Sequence, residues 1–151
     1  KKIEITWILS AQKLYFPAEI ILPELKIIPE PLSISNSEFI YENSSYKEYI
    51  SVEYVKERIM NGFSAGIYID NKLAAWGITQ DDGAIGFLNV LPQYQRKGFA
   101  KAVTIFLIQK IRQAREIPFV HIEKDNIKSL SLAKSLGFVE YGNVFWLGKN
   151  G

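Results

Sequence analysis

The residues of this chain best suited to chemistry fall in two short stretches of its second half. The first, VLPQYQRKGFA over residues 90–100, sets Arg96 and Lys97 against Gly98 where an apolar run gives way to a helical pattern. A short strand-to-helix loop aims backbone N–H groups at one spot, because the first helical turn holds donors without intrahelical partners and carries the positive end of the helix dipole. Gly98 lets another group approach the backbone, Ala100 is nearly as small, and the two cations add full charge. Such a loop can receive a phosphate-bearing ligand; its plain alternative is a glycine-ended turn with solvated cations. The second stretch, FVHIEKDN over residues 119–126, places the only histidine, His121, two residues before Glu123 and five before Asn126. Side chains alternate along a strand, so His121 and Glu123 share a face. A histidine near neutral pKa can take a proton from an amine, though a lone strand histidine is more often structural.

Other chemistries are excluded by what is missing. There is no cysteine, hence no disulfide, thiolate metal site or cysteine nucleophile, and one histidine cannot make a multi-histidine zinc site; no metal is expected. Neither GxxxxGK[ST] nor GxGxxG is present. A net charge of +2 gives no reason to expect nucleic-acid binding. The apolar run at 102–108 is far too short to span a bilayer, and no signal-peptide pattern opens the chain, so a cytoplasmic protein without membrane attachment is expected. The chain opens on Lys1 rather than Met, which leaves room for preceding sequence.

The elements that must position these groups can be read from period and punctuation. With 151 residues, 48% of them hydrophobic and 23% charged, the chain has the balance of one globular domain, 1–151. Residues 2–9 alternate like a strand. Pro23, Pro29 and Pro31 then interrupt any regular pattern, and 1–44 is poorly defined, with a part in an acceptor pocket its expected use. Helical spacing runs through 46–60 and stops at Asn61-Gly62. Three strands then alternate with tight turns: 63–69, Asp70-Asn71, 72–80, Asp81-Asp82-Gly83, 84–90. A buried helical stripe of Ala100, Val103, Leu107, Ile111 and Ala114 marks a helix over 98–115. The strand after it, 117–123, should run parallel to 84–90 through a right-handed crossover. A helix over 127–136, capped by Asp125 or Asn126 and ended by Gly137, leads to a hairpin turning at Gly142-Asn143. The class is α+β (mixed α/β): one mostly antiparallel mixed sheet with a parallel βαβ second half and helices on both faces.

Gln95-Arg96-Lys97-Gly98-Phe99-Ala100 fits [QR]-x-x-G-x-[GA], and DNIKSLSLAKSLGF lies at the right remove beyond it, ending its helix in Leu136-Gly137-Phe138. The pair, in this order, resembles the GNAT superfamily of acyl-CoA N-acyltransferases over residues 59–147. The resemblance implies acetyl-CoA or another acyl-CoA as donor co-substrate. Its pyrophosphate would lie on Gln95, Arg96, Lys97, Gly98, Phe99 and Ala100. The arm and thioester would lie along Leu88 to Val90, with Asn126 and Ser129 beside the arm and the Val90 N–H on the oxyanion. It implies direct attack by a primary amine of a small molecule such as an amino acid, and leaves a homodimer open. The superfamily's usual tyrosine acid is absent, since that position is Ala133. His121, Tyr94 and Tyr141 are the substitutes to weigh, and a thiol pKa of about 8.5 lets a thiolate leave unaided. Ala133 also admits a coenzyme A-binding sensor or interaction domain without turnover. Trp76, Pro92-Gln93-Tyr94 and the His121-x-acid pair look most like the glycine-N-acyltransferase-like branch.

Overall fold

The computed structural model describes residues 7–148. In chain order these form β1 (Trp7–Tyr15), α1 (Ser37–Glu42), α2 (Val52–Asn61), β2 (Ser64–Ile69), β3 (Lys72–Thr79) and β4 (Ile85–Val90), then α3 (Phe99–Gln113), β5 (Phe119–Glu123), α4 (Ile127–Leu136) and β6 (Val139–Gly148). The strands make one sheet in the order β2-β3-β4-β5-β1-β6, in which only β4 and β5 run parallel. The mixed α+β class read from the sequence is therefore observed.

The meander β2-β3-β4 is a product of its turns. Asp70 and Asn71 both adopt positive φ, 52° and 64°, which matches a two-residue hairpin to the twist of its strands. Gly83 takes φ 95° in the next turn, where a side chain would be strained. Apolar side chains then sort to the two faces. On one, α3 and α4 cover Leu14, Ala65, Ile67, Ile85 and Val120, with Val103, Leu107 and Ile108 of α3 fully buried. On the other, α1 and α2 bring Ile40, Val55 and Ile59 onto Leu73, Trp76 and Ile78. Gly77 lets α3 lie close to the sheet, since a Cβ there would stand 2.9 Å from Val103 and 3.0 Å from Leu107.

Three expectations change. The helical spacing over 46–60 breaks in two: a 3₁₀ turn, Lys47–Tyr49, precedes an extended Ile50, and α2 starts only at Val52. The Ser51 hydroxyl accepts the Tyr54 N–H at 3.0 Å, so a helix start competes successfully with continuation. Gly142-Asn143 is not a hairpin turn. Residues 139–148 form one strand that pairs with β1 from Trp7↔Gly148 to Tyr15↔Val139. The irregularity there is a bulge, with Lys13 opposite Gly142 and Leu14 opposite Glu140, so Tyr141 is the extra residue. The third change concerns the opening strand. The part expected at 2–6 lies outside the described residues, and the described strand runs on to Tyr15 and sits inside the sheet between β5 and β6. Among the described residues no helix is long and apolar enough to cross a membrane.

Candidate active site

The sheet comes apart where β4 and β5 should continue side by side. Their only paired residues are Ile85 and Val120, at the start of both strands. Toward its other neighbour β4 is also irregular. Ile78 of β3 faces Gly86 and Trp76 faces Asn89, so Gly77 alone opposes Phe87 and Leu88. This is a bulge, and Phe87 takes φ 51° within it. Further along, the Leu91 N–H donates to the Ala74 carbonyl at 3.0 Å. Hydrogen-bonded and non-bonded pairs alternate in an antiparallel ladder, so Val90, opposite Ala75, turns its N–H away from β3 toward the gap. Its carbonyl accepts the Gln95 amide at 3.4 Å.

A cavity of about 800 Å³ occupies this gap and is lined by residues from both faces of the sheet. On the α3/α4 face it is lined by Leu88, Thr104, Asn126, Ser129 and Ala133; on the α1/α2 face by Asn43, Tyr46, Tyr49, Tyr54 and Asp81. His121 and Glu123 reach it from the α1/α2 face of β5, the shared face that alternation predicts.

The loop before α3 has the predicted geometry. Arg96 and Gly98 both take positive φ, 63° and 80°, and Gln95 to Gly98 are exposed. Gly98 is the N-cap, with no side chain capping the first turn, so the N–H groups that open α3 have no side-chain acceptor there. A Cβ on Gly98 would meet nothing within 4 Å, leaving the backbone open to a ligand. Phe99 is buried and stacks on Tyr94 at 6.1 Å, which places Tyr94 beside the helix start. Thr104, about 9 Å along the same helix, lines the cavity.

His121 is the buried titratable group of the cavity. Its side chain is 10% exposed and its Nδ1 lies 3.6 Å from the Asp82 carboxylate, an ion-pair distance longer than a hydrogen bond. Burial pushes its pKa below the usual 6.5; Asp82 pulls it back up and Lys13 pushes it down again. Asp82 is itself fixed, because its other oxygen accepts the Ala84 N–H at 2.9 Å. The net lowering favours the neutral ring, the form able to accept a proton. Across the cavity, burial raises the Tyr46 phenol, with Glu123 and then Asp125 raising it further. Tyr54 is raised by burial and by donating to Asp81 at 2.8 Å.

Of the residues singled out in the sequence, the fold gathers Leu88, His121, Asn126 and Ser129 around the cavity, with Ala133 at its wall. The Asn126 side chain accepts the Ser129 N–H at 3.2 Å, so it caps α4 while lining the cavity. Val90 and the loop from Gln95 to Ala100 flank the cavity without lining it. Tyr141 stands apart: it is 72% exposed on β6 and packs edge-on against Tyr15, away from the cavity lining. The bulge at this residue, in place of the expected hairpin, is the physical reason. Sequence reasoning missed Asp82, Tyr46, Tyr54 and Asp81. The aspartates read only as a turn, and nothing local connects residues 46 and 54 to β5.

The fold is shared with solved structures, among them two described as GNAT-family acetyltransferases. A Drosophila protein from a structural genomics programme superposes with a TM-score of 0.84 at 21% identity, covering 95% of this chain and 52% of its own. A protein of Novosphingobium aromaticivorans described as a GNAT-family acetyltransferase gives 0.75 at 17% identity, covering 98% and 68%. A GNAT-family acetyltransferase of Colwellia psychrerythraea gives 0.71 at 14%, covering 95% and 57%. At these identities the likeness is one of fold, and the chain spans about half the length of the Drosophila protein. No curated protein matches by sequence. The model of the FR47-like protein family matches residues 64–147, from β2 through β6, and the chain belongs to that family.

Proposed function

We propose that this domain transfers an acyl group, acetyl first among candidates, from acyl-CoA to the primary amine of a small molecule. The observation that carries this reading is the single β4/β5 pair, Ile85↔Val120, beyond which a cavity is lined by residues from both faces of the sheet. Two reactants that must meet can therefore enter from opposite sides.

In this reading the pyrophosphate lies on the N–H groups at the head of α3, with Arg96 and Lys97 adding charge. The arm runs past Asn126 and Ser129 to the bulge, and the thioester carbonyl accepts from the Val90 N–H. The amine comes from the α1/α2 face and must be neutral to attack. Neutral His121, held by Asp82, takes its proton directly or through water. The N–C bond forms, the C–S bond breaks, and coenzyme A leaves as a thiolate protonated from solvent. Ala133 offers no acid, which a thiol pKa of about 8.5 makes tolerable.

Calorimetric titration with acetyl-CoA, followed by a thiol-release assay over an amine panel, tests the proposal. Absence of binding at high micromolar ligand would sink it. The alanine at position 133 favours one second reading, a coenzyme A-binding domain without turnover; binding with no thiol release from any amine would select it.

A further inference from the structure

Resting on the transferase reading, the amine-side half of the cavity also specifies what else the acceptor carries. Its wall is made by Asn43, Tyr46, Tyr49, Tyr54, Asp81 and Glu123. No lysine or arginine is among the described residues lining the cavity. Three cations of the surrounding elements have partners of their own. Lys47 pairs with Glu42 at 2.7 Å and lies over the Tyr41 ring. Arg58 is buried, donating to the Thr79 carbonyl and to Glu57. Lys13 lies over the Phe119 ring at 4.7 Å. A carboxylate in this half-cavity would meet two carboxylates, and no lysine or arginine lines the wall to receive it. An ammonium would meet the opposite: acidic partners at Asp81 and Glu123, and aromatic faces that attract cations. The Tyr54–Asp81 hydrogen bonds, 2.8 Å from the hydroxyl and 3.3 Å back from the Asp81 N–H, hold one of those acids in place.

We infer that the acceptor is an alkyl diamine or polyamine, whose second ammonium group is held by Glu123, Asp81 and the tyrosine rings while the reacting amine sits at His121. This departs from the amino-acid acceptor that the glycine-N-acyltransferase resemblance implies, because no lysine or arginine lines this wall to pair an α-carboxylate.

Three amines of one length isolate the charge at the far end: 1,5-diaminopentane, n-pentylamine and 5-aminopentanoate. With acetyl-CoA as donor, kcat/KM should fall in that order, the diamine exceeding the aminopentanoate by about tenfold or more. The diamine advantage over pentylamine should shrink with added NaCl and in Glu123→Gln and Asp81→Asn. The same amines are also titrated calorimetrically into the protein with coenzyme A present and absent, so that affinities rank them even without turnover. Equal or better use of 5-aminopentanoate or glycine overturns the inference while leaving the transferase reading intact. Failure of acetyl-CoA to bind overturns the transferase reading, and the affinity order still decides the acceptor class.

Discussion

In the proposed reaction His121 is the general base: burial lowers its pKa, and the Asp82 carboxylate 3.6 Å away opposes that shift. His121→Ala should lower kcat by about 10²–10⁴-fold and leave acetyl-CoA affinity unchanged in calorimetry. The rate should fall on the acid side, below the ordinary histidine value, because burial lowers this pKa. In Asp82→Asn that acid limb should move to still lower pH, since the Asp82 charge is what raises the pKa against burial and Lys13. An unmoved limb would reduce Asp82 to scaffolding. The same shift affects stability. The folded protein resists protonation while the unfolded chain takes a proton near 6.5, so stability is lost as pH falls from there toward the folded pKa. Asn126 separates two roles. Asn126→Ala should cost about 1 kcal/mol through the lost cap, and Asn126→Asp should restore melting temperature. Coenzyme affinity that stays low in the aspartate variant would show the amide itself engaging the ligand.

At the scale of elements, the proposed reading puts the acyl donor on the loop and helix joining β4 to β5. Gly98 holds φ 80° with open space where a side chain would stand. Gly98→Val should therefore destabilise only by the left-handed strain, about 1–2 kcal/mol in a denaturant titration, yet abolish acetyl-CoA binding. Retained binding would remove the loop from the site. This half of the molecule was legible because its signals are local: alternation, the Asp70-Asn71 turn, the α3 stripe and the Asn126 cap all lie within a few residues of what they determine. Its edges moved, as at Phe99 and Gln113, and Ala114 of the expected buried stripe lies exposed just past the helix. The amine side was not legible. Tyr46 meets Glu123 through tertiary packing, and the spacing over 46–60 concealed a helix start at Ser51. Position 142 misled for the same reason: glycine-asparagine favours a turn, but a partner strand more than a hundred residues away keeps the chain extended.

For the molecule as a whole, that distant partner is decisive. β1 bonds to β5 on one side and β6 on the other, so the earliest described strand joins the two latest. Deleting residues 1–15 should leave β5 and β6 without their shared neighbour and prevent cooperative unfolding, checked by a lost thermal transition. Such far-separated pairing makes folding slow. It also sets a timetable during synthesis. Residues 7–15 leave the ribosome about a hundred residues before β5, a wait of roughly 5–20 s at about 5–20 residues per second. Through that interval a strand with two hydrogen-bonding edges has no mate in its own chain, while the meander at 64–90 can already close. The wall that carries His121 can form only when β5 arrives to meet β1, so a nascent chain stalled before residue 119 would hold a formed loop ahead of α3 with no opposite wall to the cleft.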